Sequence, residues 1–211
     1  MSFAVGVLTK FLSSPWEQHW EAATNVLAYL GHTEEQGLVL GRVGSWEKGA
    51  LLGYADADWA NDLDDRKSVS GGALFLGGSL VSWFSRKQNM VSTSTAEAET
   101  HAMLEMVYAV GNAVAVVGDI FSSLLGKTVE TPCILNDNQP GLDAIQSRKG
   151  RNKHYDVKIK FIAGGVDERR YRIKKVSTAA NIADVFTKAV PVGRFRVLTG
   201  AFMAGVSANL A

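Results

Sequence analysis

The sequence predicts an α/β fold in which a mixed β-sheet is covered by helices. Two observations support this class. Three strand-like segments lead the central part of the chain, and helical and strand-like segments then alternate, giving the order β-β-β-α-β-α-α-β-α. A leading antiparallel set followed by alternating elements is typical of a mixed sheet with helices packed on it. With 211 residues, of which 46% are hydrophobic and 20% charged, the chain has the composition of a globular protein with a sizeable core.

The N-terminal part predicts one helix and one strand. Ser13-Ser14-Pro15 predicts a helix start, because serine is a favoured N-cap and proline suits the first helical position. Apolar residues follow at helical spacing from Trp16 to Leu30, and Gly31 predicts the end. We interpret this helix as a packing or docking element. Gly37 to Val43 predicts a strand that leads into a loop around residues 44–49.

The centre of the chain predicts a sheet followed by a long helix. The expected strands of the leading set are Ala50 to Asp58, Gly72 to Leu76 and Leu80 to Ser85. Gly77-Gly78 predicts a hairpin turn between the last two. The helical pattern then runs from about Thr95 to Leu125 and is bounded by Gly126. Gly111 and Gly118 interrupt it, so one kinked helix and two separate helices are both open.

Shorter elements alternate in the last part. The expected elements are strand Pro132 to Asn136, helix Pro140 to Ser147, helix His154 to Ala163, strand Arg170 to Val176 and a short helix from Asn181 to Lys188. From Pro191 onward no periodicity is clear, and we treat residues 191–211 as a poorly specified tail.

Composition excludes several classes of protein. The net charge is +1, so a nucleic-acid surface has to be a local patch. The single cysteine, Cys133, lies in an apolar run, which indicates a buried structural thiol rather than a disulfide framework or a structural zinc site. No uninterrupted apolar stretch of about 18 residues occurs, so no membrane span is expected. The N-terminus lacks the layout of a signal peptide, and we expect an intracellular protein, cytoplasmic or nuclear and not secreted.

Four acidic residues that are distant in sequence are candidate metal ligands: Asp56, Glu99, Asp137 and Asp184. Asp56 and Asp137 end apolar runs, and Glu99 and Asp184 fall within expected helices. Sites in sheets of this kind gather at the carboxyl ends of strands. Magnesium prefers oxygen ligands, and two such ions about 3.5–4 Å apart can promote phosphodiester cleavage.

Each acid also has an ordinary structural explanation. On a helix, Glu99 shares a face with apolar residues while Glu97 is turned about 200° away, yet Glu99 also fits the solvent edge of that face. Asp58 has the same strand parity as Asp56, and Asp56 also fits a turn. Asp137 could instead be the residue that leads into the following helix. Asp184 lies three residues after Asn181, where an acidic side chain could stabilise the start of a helix. Considered one at a time, these residues leave both interpretations open.

The segments around the acids resemble the ribonuclease H domain of copia-type long-terminal-repeat retrotransposons. The matching motifs are Tyr54-Ala55-Asp56-Ala57-Asp58-Trp59-Ala60, residues 64–72, residues 81–88, Ser94-Thr95-Ala96-Glu97-Ala98-Glu99, Asn136-Asp137-Asn138-Gln139, Lys153-His154-Tyr155-Asp156 and residues 181–188. Residues 11–15, His19-Trp20 and Tyr29-Leu30 resemble the connection segment that follows the reverse transcriptase. The resemblance covers about residues 3 to 190. It divides the chain into a connection-segment remnant (1–48), a ribonuclease H-like domain (49–190) and the tail (191–211).

This resemblance implies a ribonuclease H-like fold, a five-stranded mixed sheet flanked by α-helices. It implies an endoribonuclease that hydrolyses the RNA strand of RNA–DNA hybrids with two Mg²⁺ ions, or Mn²⁺ as a substitute. The family's four metal-binding acids fall on Asp56, Glu99, Asp137 and Asp184. The chain departs from the family at Thr95-Ala96 and Thr100, and it has no histidine between residues 177 and 181.

Basic and amide side chains predict the nucleic-acid face. The candidates are Asn138, Gln139, Arg86, Lys87, Arg151, Lys153 and His154. Basic residues would give salt-dependent phosphate contacts, and the 2′-hydroxyl would identify RNA. For any single basic residue of the stretch from Arg148 to Lys160, a solvated basic loop is the better explanation.

The expected partners are an RNA–DNA hybrid and the polymerase region of a reverse transcriptase. The alternative function is a catalytically inactive remnant that folds and binds nucleic acid or a partner. A third hypothesis is a nuclease of the same fold that acts on DNA.

Overall fold

The structure is a computed structural model and describes residues 1–41, 50–150 and 153–204. Its elements in chain order are α1 (Ser2–Thr9), α2 (Glu17–His32), β1 (Gly37–Leu38), β2 (Leu51–Asp58), β3 (Val69–Leu76), β4 (Ser79–Lys87), α3 (Thr95–Leu125), β5 (Cys133–Asn136), α4 (Gln139–Ser147), α5 (Lys153–Asp167), β6 (Arg172–Lys175), α6 (Asp184–Thr187), α7 (Val192–Thr199) and β7 (Met203–Ala204). A 3₁₀ turn at Thr178–Ala180 precedes α6.

The main sheet has five strands in the order β4-β3-β2-β5-β6. Strand β2 pairs antiparallel with β3 and parallel with β5, β3 pairs antiparallel with β4, and β5 pairs parallel with β6. These pairings confirm the α/β class and the five-stranded mixed sheet flanked by helices. The parallel neighbours β2 and β5 bring their carboxyl ends to the same edge of the sheet, and the predicted acids Asp56 and Asp137 lie there.

Apolar side chains form a core on each face of the sheet. One face carries α3, which packs Ala102, Met103, Met106 and Val110 into a cluster with Leu74 of β3. The other face is covered by α6, α7 and the segment after α7, whose apolar residues pack on Ala73 and Phe75 of β3. That second cluster includes Ile182, Val185, Phe186, Leu198 and Phe202. Strand β3 therefore contributes alternate side chains to two cores.

The predicted turn at Gly77-Gly78 and the predicted end of α3 at Gly126 are confirmed. Gly77 and Gly78 have φ angles of +55° and +79°, as a two-residue hairpin turn between β3 and β4 requires. The Oγ of Ser94 accepts a hydrogen bond from the N–H of Glu97 and caps α3. Gly126 ends α3 in the left-handed conformation, with φ +60°. Between these caps α3 is one helix of 31 residues, and neither Gly111 nor Gly118 divides it.

Helix α3 is long and apolar enough to cross a membrane by length and composition alone, with a mean hydropathy of 1.5 over its most apolar 18-residue window. No membrane span was expected, because no uninterrupted apolar stretch of about 18 residues occurs in the sequence. Up to Val110 the helix is a core helix on the sheet, and core helices meet the same criterion. Only 22% of the apolar window is buried, so much of the C-terminal half of α3 is exposed, although Phe121 is buried.

Two predicted helix starts and the predicted burial of Cys133 were wrong. Helix α2 begins at Glu17 rather than at Pro15, because the N–H of Trp16 donates to Nδ1 of His19, 2.9 Å away, and Trp16 is the N-cap. Helix α6 begins at Asp184 rather than at Asn181, whose side-chain oxygen instead accepts a hydrogen bond from the N–H of Ala183. Cys133 is half-buried rather than buried, since β5 alternates half-buried and buried positions. The strand expected up to Val43 is seen as β1, and residues 42–49 lie outside the described part of the chain.

Two elements were not predicted in the segment after Pro191. Helix α7 buries Leu198, and Phe202 follows it into the cluster on β3. Strand β7 pairs with β1, Leu38 opposite Met203. The division into segments 1–48, 49–190 and 191–211 stays a prediction.

A pair of glycine substitutions tests how closely α6 packs against the sheet. A Cβ on Gly71 would lie 2.5 Å from Cγ2 of Thr187 and 2.9 Å from Cβ of Phe186, so Gly71→Ala should lower the free energy of unfolding by about 1–3 kcal/mol. Gly111 has no atom within 4 Å of its Cβ position, and Gly111→Ala should raise that free energy by about 0.5–1 kcal/mol. Urea denaturation measures both. Equal effects of the two substitutions would contradict this packing.

Candidate metal centre and active site

Three of the four predicted acids come together at one edge of the sheet. Asp56, Glu99 and Asp137 each offer a carboxylate oxygen, and these atoms all lie within 4.8 Å of one another. Asp56 and Glu99 are buried, with exposed fractions of 2% and 4%, while Asp137 is half-buried. The group they form is therefore buried at Asp56 and Glu99 and partly exposed to solvent at Asp137. We call it the three-acid group.

The fold brings each acid in on a different element. Asp56 lies in β2, opposite Gly71 of β3, where the absence of a side chain leaves space for α6. Asp137 directly follows β5, the parallel neighbour of β2. Glu99 lies in the second turn of α3, on the face that carries Met103 and Met106 into the core.

The neighbouring acids Glu97 and Asp58 make other contacts. Glu97 takes part in the helix cap, since its carboxylate accepts hydrogen bonds from the N–H and the hydroxyl of Thr93, both at 2.8 Å. Asp58 accepts a hydrogen bond from the side chain of Asn61. Neither residue belongs to the three-acid group.

Asp137 and Asp184 do not act as helix caps either. Asn138 caps α4, because its Oδ1 accepts a hydrogen bond from the N–H of Gly141 at 2.7 Å. Asp184 is completely buried and ion-paired. Asp137 is therefore not used by a helix cap, whereas Asp184 lies in the first turn of α6 and is held by its ion pairs.

Two buried asparagines orient the carboxylates, and the candidate list from sequence missed both. Asn136 donates from Nδ2 to the carbonyl of Ala55 at 3.0 Å and to Oε2 of Glu99 at 2.8 Å. Asn181 donates from Nδ2 to the same carbonyl at 3.2 Å and to Oδ1 of Asp137 at 3.0 Å. Both are fully buried. Each asparagine thus ties one carboxylate to the backbone of β2.

Burial makes the three-acid group electrostatically unfavourable when no further cation is present. Desolvation, with the charge of Asp56 as the next cause, raises the pKa of Glu99 to about 9. Desolvation also raises the pKa of Asp56 to about 6, against the opposing effect of Lys188. At neutral pH the group therefore holds a proton that additional positive charge would release.

The donor set fits a divalent cation. Carboxylate oxygens are the ligands that hard cations such as Mg²⁺ and Mn²⁺ prefer, and a bound cation would favour the ionised forms of Glu99 and Asp56, whose pKa values burial raises. Asp56, Glu99 and Asp137 could hold such an ion with little movement of their side chains.

Asp184 lies beside this group but is bound to two cations. Lys188 Nζ lies 2.7 Å from Oδ1 of Asp184 and 3.2 Å from Oδ2 of Asp56. Arg194 Nη2 donates to Oδ2 of Asp184, and the hydroxyl of Thr187 donates to Oδ2 of Asp56. Burial alone would lower the pKa of Lys188, but the charges of Asp56 and Asp184 raise it above its usual range.

The predicted nucleic-acid residues differ in how free their side chains are. Lys153 and His154 are exposed at the start of α5, and the exposed Arg86 lies 3.9 Å from Glu105. Lys87 is held by Asp62 and Asp65, and Asn138 and Gln139 are used by the cap of α4 and by Asp143. Arg151 lies outside the described residues. A role of these residues in binding nucleic acid stays a prediction.

The asparagine contacts predict an effect on metal affinity. Asn136→Ala removes the donor to Glu99, and changes to groups that orient metal ligands typically cost about 10–100-fold in affinity. Titration with Mn²⁺ measures this loss. Asn112→Ala, an exposed position on α3, is the matched control and should change nothing. A folded Asn136→Ala protein with the affinity of the unchanged chain would contradict the orienting role.

Comparison with known proteins finds relatives among transposon polyproteins. The chain is 35% identical over 203 residues to the retrovirus-related Pol polyprotein from transposon TNT 1-94 of Nicotiana tabacum, a match that covers 93% of this chain and 14% of the relative. It is 32% identical over 193 residues to the corresponding polyprotein from transposon RE2 of Arabidopsis thaliana, covering 89% of this chain and 13% of the relative. The chain thus spans about one seventh of the length of these polyproteins.

A shorter relative is covered over most of its length. The secreted RxLR effector protein 161 of Plasmopara viticola is 45% identical over 105 residues, which is 50% of this chain and 72% of that protein. No protein-family model matches the chain.

Among solved structures, ribonucleases H resemble the chain. The RNase H1 of Halobacterium salinarum NRC-1 has a TM-score of 0.46 and 17% identity, with 66% of this chain and 95% of that chain covered. LC11-RNase H1 in complex with an RNA/DNA hybrid has a TM-score of 0.46 and 15% identity, with 65% and 93% covered.

Proposed function

We propose that this chain, which belongs to the Pol polyprotein family of copia-type retrotransposons and has a ribonuclease H-like fold, is a metal-dependent endoribonuclease that hydrolyses the RNA strand of RNA–DNA hybrids. The observation that carries this proposal is the three-acid group at the adjoining ends of β2 and β5. The alternative is an inactive remnant. Such a protein has no functional need to hold three carboxylates within 4.8 Å of one another, where burial disfavours the charged form of Glu99.

The chain's residues divide the work of the proposed reaction. Asp56, Glu99 and Asp137 hold the divalent ion, and Asn136 and Asn181 fix the rotamers of Glu99 and Asp137. A pair of Mg²⁺ ions supplies activation of the attacking water and stabilisation of the leaving 3′-oxygen. Asp184 is the fourth acid in the proposed set, and Mn²⁺ is the proposed substitute ion.

Substrate recognition is proposed to depend on the nucleic-acid backbone and not on base sequence. Lys153, His154 and Arg86 offer exposed positive or polar side chains for phosphate contacts. Selection of the RNA strand requires contacts to its 2′-hydroxyl groups. We propose an intracellular location, cytoplasmic or nuclear, and the polymerase region of a reverse transcriptase as a protein partner.

The test is cleavage by the purified chain of an RNA–DNA hybrid, with single-stranded RNA, duplex RNA and duplex DNA offered in parallel. The proposal predicts cleavage of the hybrid with Mg²⁺ or Mn²⁺ and none with EDTA. Cleavage of duplex DNA instead would favour the DNA-nuclease hypothesis. A folded chain that binds the hybrid and leaves it intact would support the inactive remnant.

A further inference from the structure

The fourth predicted acid, Asp184, already has cations as partners. Its two carboxylate oxygens face different side chains, Lys188 at Oδ1 and Arg194 at Oδ2. The carboxylate is completely buried, whereas Lys188 and Arg194 are each 32% exposed. The ion pairs therefore lie at the boundary between the core and solvent, where a bound cation can exchange with one from solution.

The two cations come from the segment that follows Asp184. Lys188 is one helical turn beyond Asp184, and its Nζ also reaches Asp56 of the three-acid group, 3.2 Å away. Arg194 comes from α7, which is anchored by Leu198 to the cluster on β3. Nη2 of Arg194 also donates to the carbonyl of Thr178 at 2.5 Å. Among the described residues, its Nε is buried without a hydrogen-bond acceptor, so the guanidinium group is only partly satisfied.

This arrangement places Lys188 between Asp56 and Asp184, the position from which a single positive charge interacts with both carboxylates. A divalent ion bound to Asp184 would meet the charges of Lys188 and Arg194 at close range. Like charges at such distances repel each other strongly in a partly buried site. Binding at Asp184 therefore requires that at least Arg194 leave the carboxylate.

We infer that Lys188 and Arg194 compete with a divalent ion for Asp184, so that the chain binds one ion at the three-acid group and a second, weaker one only in exchange for Arg194. This inference rests on the proposed metal-dependent function. Helix α7, which carries Arg194, then inhibits binding of the second ion within the same chain. A partner or a substrate that moves α7 would relieve this inhibition.

The test measures Mn²⁺ binding without nucleic acid, from the electron paramagnetic resonance signal of the free ion. The full chain is compared with Arg194→Gln, with Lys188→Gln, and with Arg170→Gln as the matched control, since Arg170 pairs with Glu168 at the surface. In Arg194→Gln and Lys188→Gln the second Mn²⁺ should bind about tenfold more tightly, a typical size for coupling between sites. In Arg194→Gln the first Mn²⁺ should change less than the second, whereas Lys188→Gln should also tighten the first, because Lys188 Nζ lies 3.2 Å from Asp56. Arg170→Gln should match the unchanged chain.

Thermal melting shows which variants fold. If Arg194→Gln does not fold, the affinity of Lys188→Gln for the second Mn²⁺ tests the inference. Second-site affinity in folded variants equal to that of the unchanged chain would overturn the inference and leave the proposed function standing. Absence of Mn²⁺ binding in every protein, including the unchanged chain, would overturn the metal-dependent function and the inference with it.

Discussion

Asp137→Asn should reduce divalent-ion-dependent cleavage of an RNA–DNA hybrid by about 100-fold or more while the protein stays folded. Changes to groups that only orient metal ligands already cost about 10–100-fold, and Asp137 is a candidate ligand itself. The side chain is half-buried, and the oxygen of an asparagine can still accept the hydrogen bond from Asn181. The substitution therefore removes a charge from the three-acid group with little effect on packing.

The matched control for this prediction is Asp143→Asn. Asp143 is exposed on α4 and contacts Gln139, so its replacement removes the same charge a short distance from the site. Initial rates on labelled hybrid at several Mg²⁺ concentrations separate the two variants. If Asp137→Asn retained a rate within a few-fold of the unchanged chain, the three-acid group would not be the active site.

Glu99→Gln should stabilise the metal-free protein while it weakens metal binding. Burial and the charge of Asp56 raise the pKa of Glu99 to about 9, from a usual value of 4.5. Between these two pH values the folded chain binds more protons than the unfolded chain, so the stability of the metal-free protein falls as pH rises. A neutral glutamine avoids this loss. The melting temperature should therefore rise by a few degrees at neutral pH, since 1 kcal/mol corresponds to about 2–4 °C in a chain of this size.

Melting curves in EDTA at pH 5 and pH 8 measure this effect. The stabilisation by Glu99→Gln should be larger at pH 8, because above its usual pKa Glu99 ionises in the unfolded chain while the folded chain keeps it protonated. Added Mn²⁺ should raise the melting temperature of the unchanged chain more than that of the variant, since ligand that binds only the folded state stabilises it. A variant that melts below the unchanged chain at pH 8 in EDTA would contradict the electrostatic account.

The elements that the sequence predicted well are those with a local physical cause. The hairpin at Gly77-Gly78 needs positive φ at both positions, and Gly126 ends α3 in the left-handed conformation, which glycine adopts readily. Periodicity also placed Glu99 rather than Glu97 on the apolar face of α3. It could not decide whether that position is a solvent edge or a buried site, because the answer depends on Asn136, which is distant in sequence.

The parts that sequence analysis missed depend on tertiary contacts. Helix α7 has no clear apolar period, and its place in the fold follows from Leu198 and Phe202, which pack on Phe75 of β3. Asp184 was predicted to be an acid of the site, and its pairing with Arg194 is a tertiary contact that the sequence pattern does not indicate. Similarly, Lys87 belongs to a basic patch in the sequence but is bound by Asp62 in the fold.

The most direct test of the central claim is a hybrid whose RNA and DNA strands carry different labels, incubated with the purified chain and Mg²⁺. We expect cleavage of the RNA strand alone, complete dependence on the divalent ion, and loss of cleavage in Asp137→Asn but not in Asp143→Asn. Cleavage of the DNA strand, or RNA cleavage that persists in Asp137→Asn, would contradict the assignment of the three-acid group as the active site of a ribonuclease H.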